Sequence, residues 1–347
     1  MAAARGIHGG MILRLLLLLT LPCAAAEEAF TFRRPCMGTV WTLKLHAPDE
    51  KTADAAAQAA FARVEALNAV LSDYLADSGL SRLSATAGSG KAVPVAGDLL
   101  AVLTLSQQAA AESGGVFDIT VGPCVQLWRA ARKSKRLPPL EELVAARAAT
   151  GWELLELNAK AGTARLQKPG MKLDAGGIAK GYAQDEALKL LREKHGITSA
   201  LFDAGGGILV SGRPPGRDGW NIEVAKSRED DPAALVRLEN AALATSGDLN
   251  QSVEIAGRRY SHIIDKTTGL GMTVSTQASV VAPTGALADC LATTLCLMGP
   301  DKGIAWLKEK HPEAQARVVQ AAESCLIVRE SAGWPRLLVP PGGAGEK

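Results

Sequence analysis

Residues 172–182 place an acid, a glycine pair and a lysine in one short segment, Lys-Leu-Asp-Ala-Gly-Gly-Ile-Ala-Lys-Gly-Tyr. The segment is predicted to begin as a short strand, pass through Gly176 and Gly177, and continue as a helix. A glycine pair lets backbone amides and carbonyls approach a ligand closely, because no side chain stands in the way. Asp174 before the glycines and Lys180 after them give this turn both signs of charge. The combination suits a phosphate-bearing ligand bound together with a metal ion.

A second candidate is the apolar helix predicted over residues 288–299, which contains one charged side chain, that of Asp289. A lone buried carboxylate is costly unless it is paired or bound to a metal. Thr293 follows four residues later, so its hydroxyl shares a helix face with Asp289. Together they form half of a site for a hard cation such as magnesium, which prefers oxygen ligands. An aspartate satisfied by a backbone amide or an arginine is the alternative, and this helix alone favours neither.

His262 is the third candidate. It follows a strand pattern over residues 258–260 and precedes the turn Asp265-Lys266-Thr267-Thr268-Gly269. A lone histidine is more often structural than catalytic, but ligand sites concentrate in polar loops at strand ends. Both interpretations of His262 therefore stay open.

The elements that must position these residues begin with two predicted helices. Residues 52–71 carry apolar side chains at helical spacing, and a second helix is predicted over residues 98–112. The glycines and the proline within residues 114–123 mark the edges of a loop.

The later half of the chain is predicted to contain mostly strands. From Ser199 it alternates strand, triple glycine and strand, and because residues 208–210 continue as a strand, a Rossmann dinucleotide motif is excluded. Further strands are expected over residues 220–224 and 236–244. The prediction is an α+β fold, a mostly antiparallel sheet with flanking helices.

Composition gives no indication of nucleic-acid binding. The 347-residue chain carries 38 Lys and Arg against 36 Asp and Glu, and no run of five like charges occurs. Five of the six cysteines follow residue 26, with no Cys-x-x-Cys pair, so neither a zinc site nor a disulfide framework is predicted.

The two ends of the chain differ from the rest. Residues 1–26 combine Arg5 and Arg14 with a short apolar run and an Ala-Ala-Ala stretch, which predicts a cleaved secretory signal and a periplasmic location. A lipid-modified Cys23 is the rival interpretation, although Pro22 before it argues against a lipoprotein. Residues 27–334 form the predicted catalytic domain, and residues 335–347 are predicted to be a disordered Pro/Gly tail.

Seven short motifs follow one another along the chain: Met37-Gly38-Thr39, Ser72-Asp73-Tyr74 with Asp77-Ser78, Phe117 to Pro123, Leu173 to Tyr182, Thr245-Ser246-Gly247, His262 to Asp265, and Ala288-Asp289 with Ala292-Thr293. In this order they resemble the ApbE family, the FAD:protein FMN transferases, which are exported magnesium enzymes of bacteria. Each motif is weak alone, whereas seven in order are highly specific. The resemblance covers nearly the whole chain after residue 26.

The resemblance implies a two-lobed α+β unit with the flavin in the cleft, and it implies roles for individual residues. The FAD contacts that it implies are Met37, Tyr74, Val116, Phe117, Asp118, Asp174, Lys180 and Ile263. The magnesium ligands that it implies are Asp289, Thr293 and the backbone at or next to Gly177. His262, beside the pyrophosphate, and Lys180 are the implied catalytic residues.

Four positions depart from the family pattern. They are Ala175 in place of leucine, Ile119 and Lys266 in place of prolines, and Ala292 where some members have a second carboxylate. None of them removes an expected ligand, but Ala292 makes the metal shell thinner.

The implied reaction moves FMN from FAD to a threonine hydroxyl of an exported flavoprotein and releases AMP. A magnesium-dependent FAD pyrophosphatase and a non-catalytic periplasmic FAD-binding protein are the alternatives. The expected partners are FAD and the threonine-bearing acceptor, with membrane association only through the acceptor or a lipid anchor.

Overall fold

The computed structural model describes residues 27–228, 233–248, 252–323 and 325–340. The predicted signal segment lies outside these ranges. The helices are α1 (Glu50–Leu71), α2 (Gly79–Ser84), α3 (Gly97–Glu112), α4 (Gly122–Ser134), α5 (Leu140–Ala148), α6 (Ala179–His195), α7 (Gly285–Met298), α8 (Pro300–Lys310) and α9 (Trp334–Leu337).

The strands are β1 (Glu28–Cys36), β2 (Thr39–Ala47), β3 (Val93–Pro94), β4 (Leu155–Asn158), β5 (Thr163–Leu166), β6 (Ala200–Asp203), β7 (Gly207–Ser211), β8 (Trp220–Val224), β9 (Ala234–Leu238), β10 (Ala241–Gly247), β11 (Ser252–Ile255), β12 (Arg258–Ser261), β13 (Ile264–Asp265), β14 (Leu270–Gly271), β15 (Thr276–Ala282), β16 (Gln315–Ala321) and β17 (Leu326–Glu330).

Eight of these strands form one sheet in the order β1-β2-β6-β7-β10-β15-β16-β17. Each neighbouring pair in it is antiparallel. The other strands form small sheets, β3-β5-β4, β8-β9, β11-β12 and β13-β14. This architecture confirms the prediction of an α+β fold with a mostly antiparallel sheet.

Three helices cover one face of the large sheet. The α6 helix packs against both α1 and α7, and α7 packs against β10 and β15. The apolar spacing of α1 buries Phe61, Val64, Leu67 and Leu71, as an amphipathic helix requires. The Asp49 carboxylate accepts a hydrogen bond from the Thr52 amide at 2.7 Å and caps the start of α1.

Two smaller cores form apart from the main one, and one of them lies next to the candidate residues. That core is built from α4, α5 and β11 to β13, and its buried side chains are Cys124, Trp128, Ala131, Ala146, Ile255, Tyr260 and Ile264. Phe117 and Leu173, in two of the seven sequence motifs, belong instead to the main core. The segments that carry the candidate residues therefore lie where two separately packed parts of the protein meet.

The structure corrects three expectations. The α4 helix begins inside the predicted loop of residues 114–123, because Pro123 occupies its first turn, where a proline is tolerated. The short strand expected at Lys172 is only an isolated bridge to Val121. The disordered tail is wrong for residues 335–340, since Val339 donates a hydrogen bond to the Leu235 carbonyl at 2.8 Å, while residues 341–347 lie outside the described ranges.

Within the described part of the chain, no helix combines the length and the hydropathy of a membrane-spanning segment. The cysteines described there, Cys36, Cys124, Cys290, Cys296 and Cys325, are all free thiols.

Candidate functional site

The α7 helix opens toward solvent at two polar side chains. From residue 288 to residue 296 every residue is buried except Asp289 and Thr293, which are half-buried. These two residues are four apart and thus share one face of the helix, as the sequence predicts. The Thr294 hydroxyl beside them bonds to the Cys290 carbonyl at 2.8 Å within the helix, so only Thr293 presents a hydroxyl to the opening.

Three segments of the chain meet at this opening, those of Thr293, Ser246 and Gly177. The Ser246 hydroxyl of β10 lies 3.4 Å from the Thr293 hydroxyl. Gly177 lies so close that a Cβ atom there would be 3.1 Å from Thr293 Oγ1 and 3.1 Å from the Phe117 ring. A side chain at position 177 would require these neighbours to shift by a few tenths of an ångström, because the Gly177 backbone lies close to the Thr293 hydroxyl.

Lys180 places its positive charge near two carboxylates. Burial raises the pKa of Asp289, and the Lys180 charge and a hydrogen bond from the Gly181 amide, 3.3 Å from Oδ2, oppose that rise. The same lysine lowers the pKa of Asp174, which burial and the nearby Asp73 carboxylate raise more strongly. Lys180 thus links the acid of the glycine segment to the acid of α7.

The two helices that carry these groups cross at a pair of glycines. A Cβ atom on Gly181 of α6 would lie 2.7 Å from the Ala286 nitrogen and closer still to the Gly285 carbonyl oxygen. Both neighbours are backbone atoms, so no side chain can move aside. The close crossing brings the start of α6, with Lys180, within reach of Asp289.

We expect Gly181→Ala to lower the melting temperature and to weaken transfer together. Overpacking of this kind costs about 1–3 kcal/mol, and the backbone must shift at the site. Gly207→Ala is the matched control, because its Cβ atom would meet Gln184 at an ordinary 3.4 Å. Differential scanning fluorimetry and the transfer rate measure both effects. Equal melting temperatures for the two variants would contradict the crossing argument.

Arg129 of α4 is a residue that the sequence reasoning missed. Its guanidinium donates to Asp174 Oδ2 at 2.9 Å and forms an ion pair with Asp73. It also lies over the Tyr74 ring, 4.1 Å from the ring centroid, in a cation–π contact. Tyr74 itself is 76% exposed, so Arg129 holds one face of an aromatic ring whose remaining surface is open to a ligand.

Asp118 is saturated by its own chain. Its Oδ1 accepts hydrogen bonds from the Thr120 amide at 2.9 Å and from the Thr120 hydroxyl at 2.6 Å. Its Oδ2 accepts from the Trp152 amide at 3.1 Å and pairs with the Lys266 ammonium at 3.5 Å. This carboxylate organises the loop of residues 116–118, in which Val116 alone is half-buried, and places the unusual Lys266 beside that loop.

His262 and Ile263 lie in a loop that is fastened to α4. The Ser261 carbonyl accepts a hydrogen bond from Trp128 Nε1 at 2.8 Å, and the Ser261 hydroxyl accepts one from the Ile263 amide at 3.0 Å. Trp128 precedes Arg129 directly in α4. The half-buried His262 is therefore positioned by the same helix that holds Tyr74 and Asp174.

Met37 occupies the two-residue turn between β1 and β2. Met37 and Gly38 have φ angles of 45° and 80°, the left-handed pair that tight hairpins require. Met37 packs partly against the main core. Thr39 follows the turn and lies beside Gly205, where a Cβ atom would strike the Thr39 side chain.

A cavity of about 450 Å³ lies on the other face of α6 and α7. Its lining includes Tyr182, Asp185 and Cys290 and none of the predicted site residues. Burial raises the pKa of Asp185 to about 6. Its carboxylate accepts the first amides of α7 at 2.7 and 2.9 Å, which is a capping role.

Comparison with known proteins gives this arrangement its context. A family model described as the ApbE family matches residues 37–318, most of the chain. The chain belongs to the ApbE family. It is 30% identical over 328 residues to an FAD:protein FMN transferase of Klebsiella pneumoniae (strain 342), covering 92% of this chain and 90% of that protein. An FAD:protein FMN transferase of Treponema pallidum (strain Nichols) is 33% identical over 273 residues, 74% of each chain.

Solved ApbE structures share the fold. The flavin transferase ApbE from Vibrio cholerae has a TM-score of 0.79 and 29% identity, covering 90% of this chain and 100% of that one. The apo form of the flavinyl transferase ApbE from Pseudomonas stutzeri has a TM-score of 0.80 and 27% identity, covering 92% of this chain and 99% of that one. The roles of individual residues in this ApbE chain remain predictions, which the geometry above makes specific.

We expect Arg129→Lys in this ApbE chain to weaken FAD binding several-fold and to change kcat little. A lysine cannot contact two carboxylates and stack on Tyr74 at once. Arg165→Lys is the matched control, because Arg165 forms a two-pronged pair with Glu156 elsewhere in the fold. Flavin fluorescence titration gives the dissociation constant, and steady-state kinetics give kcat. Unaltered FAD affinity in Arg129→Lys would remove Arg129 from the flavin site.

Proposed function

We propose that this ApbE-family chain uses magnesium to transfer FMN from FAD to a threonine hydroxyl of an exported protein, with release of AMP. The enzyme class, FAD:protein FMN transferase, follows from the family match and from the relatives that carry this name over most of both chains. Magnesium, the threonine acceptor and the release of AMP go beyond that class. The observation that supports a metal-assisted pyrophosphate reaction is the convergence of Lys180, Gly177, Asp289 and Thr293 where α6 meets α7.

The residues present fit a hard cation. Asp289 offers one carboxylate, Thr293 and Ser246 offer hydroxyls, and the Gly177 backbone lies against them. Among the described residues, no three His, Cys, Asp or Glu side chains form a metal-binding group, which disfavours a zinc or iron centre there. Magnesium is typically held by one or two carboxylates and completed by substrate phosphates and water. Such a cation would neutralise charge on the pyrophosphate when bound.

The chain's own residues supply positioning and proton transfer. In the proposed step the threonine oxygen forms a bond to the FMN phosphorus, and the bond between that phosphorus and the bridging oxygen of AMP breaks. Lys180 stabilises negative charge on the pyrophosphate, as fixed cations do in other phosphoryl transfers. His262 accepts the threonine proton or polarises the phosphate, and either role acts on the transfer step itself.

The flavin half of the substrate fits the other cluster. Tyr74 offers an open aromatic face, which suits stacking on an isoalloxazine ring. Arg129 and Asp174 hold that ring and the glycine segment together. The FMN phosphate would then lie between this cluster and Asp289, near Lys180.

The test incubates the chain without residues 1–26 with FAD, magnesium and a candidate threonine-bearing flavoprotein domain. A denaturing gel imaged for flavin fluorescence detects the covalent product, and a coupled assay measures AMP. A fluorescent acceptor band with an equal amount of AMP supports the transferase. AMP without the band would favour the pyrophosphatase, and neither product would favour an FAD-binding protein.

Export to the periplasm is part of this proposal and rests on the sequence of residues 1–26. Mass spectrometry of the mature protein tests it. A mature chain that begins at Glu27 supports signal cleavage, whereas a diacylglyceryl group on Cys23 would support the lipoprotein.

A further inference from the structure

The helices α4 and α5 and the loop between them expose cations and apolar side chains side by side. We name this surface the α4–α5 patch, and its members are Lys133, Lys135, Arg136, Leu137, Leu140 and Val144. Leu140 and Val144 lie four residues apart on α5 and are 75% and 54% exposed, and Leu137 is 43% exposed. Clustered exposed apolar side chains rimmed by polar ones mark interaction sites.

The cations of the patch have no acidic partner in the part of the chain that the structure describes. Among the described residues, Lys133, Lys135 and Arg136 form no ion pair. Glu141 and Glu142 stand in the first turn of α5, where the helix dipole favours acids. Residues 132–144 carry the four cations Arg132, Lys133, Lys135 and Arg136 against these two carboxylates, so the segment has a net positive charge.

The helices α4 and α5 connect the patch to the site. Arg129, on the same helix, stacks on Tyr74, and the charge of Arg132 also acts on Tyr74. Beneath the exposed face of α5, the Leu143 side chain lies against Gly269. A Cβ atom on Gly269 would be 3.3 Å from that side chain. Gly269 ends the turn that follows the His262 loop. A molecule covering the patch would therefore also lie beside Tyr74 and the His262 loop.

We propose that the α4–α5 patch is the docking surface for the acceptor protein, which meets it with an apolar side chain surrounded by carboxylates. The inference rests on the transferase activity, and specifically on its acceptor being a protein. The acceptor hydroxyl must enter between the two packed parts of the enzyme. The surface of the acceptor around that hydroxyl then covers the enzyme surface at the entrance, which includes the α4–α5 patch. Complementary charge then speeds the encounter, while the apolar side chains prolong it.

The first test reverses charge. Lys133→Glu with Arg136→Glu is compared with Lys302→Glu with Lys308→Glu, an equal charge change at exposed positions of α8. The substrates are an acceptor domain that the wild type labels and a short peptide carrying its labelled residue. We expect KM for the domain to rise at least about tenfold at low salt in the patch variant only, and the difference to shrink as salt is added. KM for FAD and for the peptide stays unchanged.

The second test removes apolar surface without changing charge. Leu140→Ser with Val144→Ser is compared with Val328→Ser, another exposed apolar position, on β17. Because these side chains are exposed, we expect the variants to have the melting temperature of the wild type. We expect a several-fold rise in KM for the domain that does not depend on salt, because the lost contact is apolar.

Several outcomes would overturn the docking proposal. They are unchanged KM for the domain in both patch variants, an equal rise in the control variants, or an equal rise for the peptide and for FAD. In each of these cases all the enzymes still label the domain. A wild type that labels no acceptor would instead mean that the proposed chemistry itself fails.

Discussion

We expect Asp289→Ala to remove the proposed magnesium-dependent transfer and to leave the fold largely intact. A metal ion contributes several kcal/mol of charge stabilisation, and each 1.36 kcal/mol is a factor of ten in rate, so we expect a loss of at least about a hundredfold. The stability argument comes from the pKa. Burial raises the pKa of Asp289 in the folded state, so the charged form opposes folding, and its removal does not lower the melting temperature of the metal-free protein. The rate across a magnesium titration and scanning fluorimetry measure the two effects.

Neighbouring threonines provide the matched control for the metal site. Thr293→Val should weaken the dependence on magnesium, whereas Thr294→Val removes a hydroxyl that bonds only within α7 and should leave that dependence unchanged. An unaltered magnesium titration in both Asp289→Ala and Thr293→Val would sink the metal assignment.

His262→Ala should lower the transfer rate more than it lowers FAD affinity. General acid–base groups contribute about 10²- to 10⁴-fold, so we expect a fall in kcat of at least about a hundredfold with a change in the FAD dissociation constant of only a few-fold. Single-turnover kinetics with saturating FAD measure the first quantity, and flavin fluorescence titration measures the second.

His195→Ala is the control for this variant, because His195 ends α6 away from the His262 loop. A variant His262→Ala that binds FAD poorly but transfers normally at saturation would make the histidine a binding group. A normal rate together with normal affinity would remove it from the site.

The sequence was sufficient for the elements whose physical cause is local. The apolar periodicity of residues 52–71 predicts α1, and the apolar run around Asp289 predicts α7. The helical period also places Asp289 and Thr293 on one face of α7. The sequence also excludes a dinucleotide motif at the triple glycine, because the strand β7 and not a helix follows it.

What the sequence could not show depends on distant partners. Arg129 lies 45 positions from Asp174 and 56 from Asp73 along the chain. The start of its helix is hard to predict, because a proline such as Pro123 is typical both of a loop boundary and of a first helical turn. The Asp118 carboxylate likewise binds distant residues, the Trp152 amide and the Lys266 ammonium. Motif order therefore predicts which segments form the site, and their packing shows which of the side chains contact one another.

Two of the six tryptophans, Trp128 and Trp152, adjoin segments of the predicted site and supply an optical signal without any label. Trp128 fastens the His262 loop to α4, and the Trp152 backbone fastens the loop of Asp118. Flavins absorb at the wavelengths where tryptophan emits, so bound FAD would quench both indoles by energy transfer. Replacing each indole separately by phenylalanine would assign the quenching to one side of the site or the other. Substrate arrival could then be timed in a stopped-flow instrument before any covalent product forms.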